Sequence, residues 1–437
     1  MLYFCIVTQK NKNKITMNRI VFFALVICLQ LPILAQPLKR TSPESVGMSS
    51  ALLHNADVPI QASIDAGEIP GAVLAVVRHG KMAYIQAYGN RQIYPTKEPM
   101  TIETIFDMAS CSKCMGTTMC VMKLLETGRL RLLDPVSRYI PGFQDWQSKD
   151  GGEKTTIRIE DLLTHTSGLL PYANATELAR KYGSPNPEGM KEYICTCRKD
   201  FEPKTGLQYS CINFITLQYI VEKITGQSLR DYARENVFGP LKMNHTDYLP
   251  CAPDTNGVWN NTTEPVWASL MPGQDWRSIV APTTKQADGS VLRGMVHDPL
   301  ARIMNGGISG NAGVFSNADD IGILCAALLN GGEWNGARVL SPLTVKTMRT
   351  VPQSVSKFGR ALGWDCFSPY ASNNGDFFSR QTFSHTGFTG TSIVIDPEND
   401  CAVILLVNAV HPEEGRSSMI RLRSVVSNAV AGAILKK

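Results

Sequence analysis

A chain of 437 residues with 43% hydrophobic and 19% charged side chains can bury a large core, which excludes a disordered or low-complexity protein beyond about residue 40. Its formal charge is +5; loss of residues 1–35 would remove Lys10, Lys12, Lys14 and Arg19 with no acidic residue, leaving +1. A near-neutral chain gives no reason to expect nucleic acid or an anionic membrane as partner.

In chain order, Met17-Asn-Arg19 is followed by the apolar run Ile20–Leu34 and then Ala35. A basic flank, a short apolar stretch and a small residue describe a secretory signal peptide, with Met17 as an alternative start. The run is short for a membrane span and is interrupted by Gln30 and Pro32. The expectation is an exported protein, periplasmic or secreted, with no stable membrane insertion once residues 1–35 are gone.

Two apolar, β-rich runs, 72–78 and 81–88, flank His79-Gly80 and predict a hairpin. Residues from about 104 to 350 carry mostly helical patterns and long loops. A second strand–turn–strand unit follows, 391–396 and 401–408, around Pro397-Glu-Asn-Asp400. A closing helix is predicted over 414–435. These elements predict one α/β (α+β) domain over residues 36–437. Its antiparallel sheet is built from both termini and flanked by helices, with a mostly helical subdomain inserted over about 104–350. A site would lie in the groove between sheet and helices.

Ten of the twelve cysteines follow residue 35. Export would permit disulfides, but spacing alone assigns no pairing. Cys111-x-x-Cys114 has the spacing of a metal or redox half-site, yet no second pair or clustered histidine completes it, so no metal and no cofactor are expected.

The strongest chemical signal begins at Phe106-Asp-Met-Ala-Ser-Cys-Ser-Lys113. Ser110 and Lys113 are three apart on one face of a predicted helix that runs to Gly128. A serine hydroxyl needs a base to become a nucleophile, and a buried lysine amine can be that base. A helix start also aims backbone N–H groups at a developing oxyanion. The bare pattern recurs at Ser354-Val-Ser-Lys357, so context separates the two: only the first copy opens a long apolar helix. Tyr209, in a loop just before a helix over 214–224, could relay protons beside this pair. Ser384-His-Thr-Gly-Phe388 leads into the strand at 391, where glycine permits close approach of a substrate.

Taken in order, Ser110-x-x-Lys113, Tyr209-Ser-Cys211 and His385-Thr-Gly387 resemble the serine β-lactamase and penicillin-binding superfamily, in the class C-like branch that includes D-alanyl-D-alanine carboxypeptidases and esterases. Leu162-Leu-Thr-His-Thr-Ser-Gly-Leu169, Leu130-Arg-Leu-Leu-Asp-Pro-Val136, Gly294-Met-Val-His-Asp298 and Gly306-Gly-Ile-Ser-Gly-Asn-Ala-Gly313 extend the similarity over roughly residues 45–435. The resemblance implies a β-lactamase/transpeptidase-like fold. It implies Ser110 as acylated nucleophile, Lys113 as its base and Tyr209 as proton shuttle. It places His385, Thr386 and Gly387 at the substrate and the N–H groups of Ser110 and Phe388 at the oxyanion. His165 and His297 are implied to position loops near the cleft.

Two departures matter. The third motif usually begins with lysine and here begins with His385; a literal Lys204-Thr-Gly206 lies before Tyr209 with no strand after it. Where the second motif usually carries asparagine, this chain has Cys211, a poor hydrogen-bond partner. Both point towards an esterase-like serine hydrolase acting on a carboxylic ester or small amide, with acyl transfer as a close variant. The expected partner is a small-molecule acyl substrate or short peptide. A carboxypeptidase, a β-lactamase and a catalytically idle binding module are the alternatives.

Overall fold

The computed structural model describes residues 37–436 apart from Ser418; the predicted signal peptide lies outside these residues. Helix α1 (Asp57–Asp65) precedes the hairpin of β1 (Gly71–Arg78) and β2 (Lys81–Gln92), with a short β3 (Glu98–Pro99). The middle of the chain supplies β4 (Phe106–Asp107), α2 (Met119–Glu126), α3 (Cys211–Thr225), β5 (Asp247–Tyr248), β6 (Val314–Ser316) and α4 (Ala318–Leu329). Then come β7 (Phe383–Thr386), β8 (Ser392–Asp396), β9 (Cys401–Val407) and α5 (Ile420–Gly432).

The main sheet is antiparallel, in the order β7-β8-β9-β1-β2-β3. Strands from both ends of the chain therefore meet at the β1–β9 pair, as the two strand-rich ends predict. His79 and Gly80 both have positive φ (50° and 65°), the two-residue turn whose twist matches its flanking strands.

The pleat of β1 sorts its side chains into two cores. Val73, Ala75 and Val77 join Ile404, Leu406 and the α4 residues Ile321 and Leu324 on one face. Leu74 and Val76 join Val403, Leu405 and the α5 residues Val426 and Val430 on the other. Every β1 residue is buried, so both faces of the strand need apolar side chains, and the sequence reads as a continuous run rather than an alternation.

Three elements differ from the sequence expectation. The closing helix starts at Ile420 rather than 414, because Gly415 (φ 84°) and Met419 (φ 60°) leave the right-handed helical region. The helix after Ser110 is not uniform: Lys113–Thr118 is a π-helical turn that leads into α2. Such turns concentrate at functional sites. Third, α4 lies within the predicted helical insertion yet packs on the main sheet. The middle segment also forms a small sheet in the order β4-β6-β5, whose first strand ends three residues before Ser110.

Candidate active site

The segment carrying Ser110 is held before its helix begins. Met108 N–H donates to the Val314 carbonyl (2.9 Å). Ala109 then takes φ 45°, unusual for a residue with a Cβ, and its N–H donates to Asp107 Oδ1 (2.8 Å). Asp107 Oδ2 accepts from His297 N–H (2.7 Å). Burial pushes the Asp107 carboxyl up, and these two N–H groups oppose that rise.

Lys113 is fully buried. Its Nζ donates to Ser110 Oγ (3.0 Å) and to the Asn311 carbonyl (2.9 Å), and lies 3.6 Å from Cys211 Sγ. Burial disfavours the ammonium, but the electrostatic pull of Cys211 and Tyr209 outweighs it and raises the lysine overall. Burial in turn raises Tyr209 and Cys211, with Lys113 opposing. The three groups act on one another, so the pKa of each depends on the protonation of the others.

Tyr209 is placed by the loop over 162–169. Ser210 N–H donates to His165 Nδ1 (3.1 Å), and the Tyr209 and His165 rings stack with centroids 4.4 Å apart. The Ser210 hydroxyl accepts from Asn213 N–H (3.2 Å) and caps α3. The Tyr209 hydroxyl is buried against Ser110 and Lys113, close enough for both to favour its ionised form, but it makes no well-formed hydrogen bond to either.

His385 and Thr386 lie within β7 itself, an edge strand, and Gly387 and Phe388 open the turn into β8. That turn is pressed onto the Ser110 segment. The Thr389 hydroxyl donates to the Asp107 carbonyl (2.8 Å) and the Thr391 hydroxyl to the Met108 carbonyl (3.2 Å). A Cβ on Gly387 would come within 2.7 Å of the Met108 carbonyl oxygen. His385 Nδ1 bonds the Thr386 carbonyl (2.9 Å), which makes Nδ1 the protonated nitrogen and leaves the Nε2 lone pair free. Burial, then Arg360 and Lys113, hold this ring well below the usual histidine range, and His165 likewise.

Ser110, Tyr209, His385, Thr386, Gly387 and Phe388 line one cleft of about 580 Å³. Lys113 and Cys211 sit beneath it, against Ser110 and each other. The structure thus brings together all eight site residues read from the sequence. The two decoys lie elsewhere: the Ser354 hydroxyl donates to Glu160 (2.7 Å), and Lys204 pairs with the same carboxylate (2.8 Å). His297 stacks on Phe388 (5.7 Å) rather than joining a triad. Cys111 and Cys114 are buried free thiols, and no metal-binding group of three or more histidine, cysteine or carboxylate side chains occurs among the described residues.

Sequence reasoning missed Arg360, Asp365, Tyr370, Asn373 and Arg423, which line the same cleft, and the direct role of Asn311 against Lys113. Arg360 has no motif around it beyond Gly359 and Gly363, and its distance from the three recognised segments hid it. Asn311 stood inside the Gly-rich phrase 306–313 and was legible as a phrase but not as a contact.

A family model described as Beta-lactamase matches residues 59–427. A protein of Escherichia coli (strain K12), named provisionally as a D-alanyl-D-alanine carboxypeptidase, is 31% identical over 386 residues, covering 86% of each chain. An N-acetylmuramyl-L-alanine amidase of Bacillus subtilis (strain 168) is 33% identical over 398 residues, again with 86% of each chain covered. Among solved structures, EstCE1, a hydrolase with promiscuous acyltransferase activity, superposes with a TM-score of 0.65 at 24% identity, covering 87% of this chain and 99% of its own. A model match over most of the chain, joined to a nucleophile-type serine beside a buried lysine, makes this protein a member of the β-lactamase family of serine hydrolases.

Proposed function

We propose that the protein is an acyl-enzyme hydrolase of carboxylic esters or small amides, esterase-like and open to acyl transfer. The observation that carries this reading is the 3.0 Å contact between Lys113 Nζ and Ser110 Oγ, buried beside the Tyr209 hydroxyl at one cleft wall. Ser110 Oγ attacks the substrate carbonyl and its proton passes to Lys113 in those molecules in which the lysine is neutral, a fraction that the raised lysine pKa keeps small and that grows with pH. The N–H groups of Ser110 and Phe388 receive the oxyanion. Tyr209 protonates the leaving group, and a water or another alcohol then attacks the acyl-enzyme with the proton flow reversed. The hydrolase with acyltransferase activity among the structural neighbours is in keeping with this reading.

Cys211 supports esters over amides. A thiol cannot supply the paired donor and acceptor of a carboxamide to an amide substrate. Labelling with a serine-reactive aryl phosphonate tests the mechanism. The labelled peptide should contain Ser110, and Ser110→Ala should abolish both labelling and p-nitrophenyl ester turnover, by about 10³-fold or more. Label on another serine, or undiminished labelling of the alanine variant, would refute the assignment and favour an idle binding module.

A further inference from the structure

Away from the cleft, one carboxylate gathers three proton-bearing side chains. Asp57, the first residue of α1, accepts from the Tyr84 hydroxyl (2.6 Å) and the Tyr88 hydroxyl (2.5 Å) on the same oxygen, Oδ1. The two phenol oxygens are 3.3 Å apart. The other carboxylate oxygen, Oδ2, meets His54 Nδ1 (2.8 Å). Both tyrosines stand on β2 and pack on the sheet face that α1 and α5 cover. Strands β8, β9 and β1 separate β2 from β7, so the serine site does not use this cluster. Burial first, then the Asp57 carboxylate, push the Tyr84 phenol up to about 12 and raise Tyr88 as well. Phenols in this setting keep their protons unless a cation takes their place.

We propose that Asp57 Oδ1 and the hydroxyl oxygens of Tyr84 and Tyr88 form a binding site for a hard trivalent cation of the ferric type, with His54 orienting the carboxylate. The three oxygens make a triangle with edges of 2.5, 2.6 and 3.3 Å. In an octahedral site, metal–oxygen bonds of about 2 Å set neighbouring ligand atoms about 2.8 Å apart, so the triangle matches one face. Charge and softness select the ion. All three ligands are oxygens, which suit hard cations. One carboxylate and two phenolates carry three negative charges. A trivalent ion leaves this partly buried site neutral, whereas a divalent one leaves an uncompensated charge in it. Binding is a proton exchange: the cation displaces two phenol protons to solvent, and no electron is transferred. The cation's own charge reverses the preference for the protonated phenols. The imidazole on Oδ2 keeps Oδ1 turned to the tyrosines. The side chains of His54 and Asp57 are 66% and 27% exposed, which opens the opposite face of the site to solvent and gives the ion a way in. The sequence expectation of no metal rested on cysteine and histidine spacing; phenols 27 and 31 positions from Asp57 leave no local motif.

The test adds ferric nitrilotriacetate to the full-length protein and reads the visible spectrum. A tyrosinate-to-iron charge-transfer band should appear and saturate at one iron per chain, with phenolate modes in the resonance Raman spectrum excited in that band. Tyr84→Phe and Tyr88→Phe should each shift and weaken the band, and the double variant and Asp57→Asn should abolish it. Each single variant keeps one phenolate, so the two singles identify the ligands even where the double variant folds poorly. His54→Ala should weaken iron binding by about tenfold and leave the band position unchanged. Tyr182→Phe, which removes a hydroxyl that contacts Lys181 and Glu192, should behave as the wild type. A wild type without the band, or a band that both single variants retain unchanged, overturns the proposal. The spectrum is read without substrate, so its outcome is independent of the acyl-enzyme reading.

Discussion

His385 illustrates how surroundings can change what a residue type means. A histidine in the third motif is a candidate for titration near neutral pH, yet burial and the cations at Arg360, Lys113 and Arg423 hold it neutral. His165, under Tyr209, is held neutral in the same way. A histidine whose pKa is lowered is already deprotonated at pH 6–7, so neither ring contributes an acidic limb there. Lys113 is raised, so the base form of the Lys113–Tyr209–Cys211 set grows as pH rises. The pH profile of kcat/KM on a neutral ester should therefore climb from pH 6 towards alkaline values without an inflection between 6 and 7. An inflection in that window that disappears in His385→Gln would contradict the neutral assignment. At this scale the sequence was legible wherever chemistry and spacing coincide, as for Ser110, Lys113 and Tyr209. It was silent on Arg360, because a buried arginine is defined by what packs around it and no local pattern records that.

Among the elements, the turn from β7 to β8 does the most to shape the cleft. It is short, it is pinned by Thr389 and Thr391 to the backbone before Ser110, and Arg423 from α5 donates to the Gly387 carbonyl (2.8 Å). Gly387 is the position where this contact leaves no room for a side chain: an added Cβ would also come within 2.2 Å of Thr391 Oγ1. Gly387→Ala should lower stability by about 1–3 kcal/mol, the usual cost of overpacking. It should also slow phosphonate labelling of Ser110 by more than the melting shift accounts for, since the oxyanion side of the cleft must move. A variant that melts and labels like the wild type would show that the turn tolerates displacement. The strand pattern of β8 and β9 was plain in the sequence. β7 gave no strand signal of its own in the sequence, because it is only four residues long and its polar residues Ser384, His385 and Thr386 lack the apolar pattern of its neighbours.

On the scale of the whole molecule, the ten described cysteines are all free, and most are buried. Were the apolar run Ile20–Leu34 to direct export, they would stand in an oxidising compartment, where burial rather than reduction keeps thiols from reacting. The intact mass of the protein recovered from producing cells should match a chain that begins close to residue 36 and carries ten reduced thiols. A mass that retains residues 1–35, or that is lower by two hydrogens per cystine, would contradict one or the other expectation. No helix among the described residues is long and apolar enough to cross a membrane. The pairing of β1 with β9 was legible from the two strand-rich ends, whereas the placement of α4 on the sheet depends on contacts between distant segments that periodicity does not reveal. The same long reach governs Asp107. Its carboxylate holds Ala109 and, 190 positions later, His297; its carbonyl takes the Thr389 hydroxyl, 282 positions on. The clamp on the serine turn closes only after nearly all of the polypeptide has been synthesised and threaded to one place. A chain cut short before residue 389 therefore lacks one of the contacts that hold the serine turn.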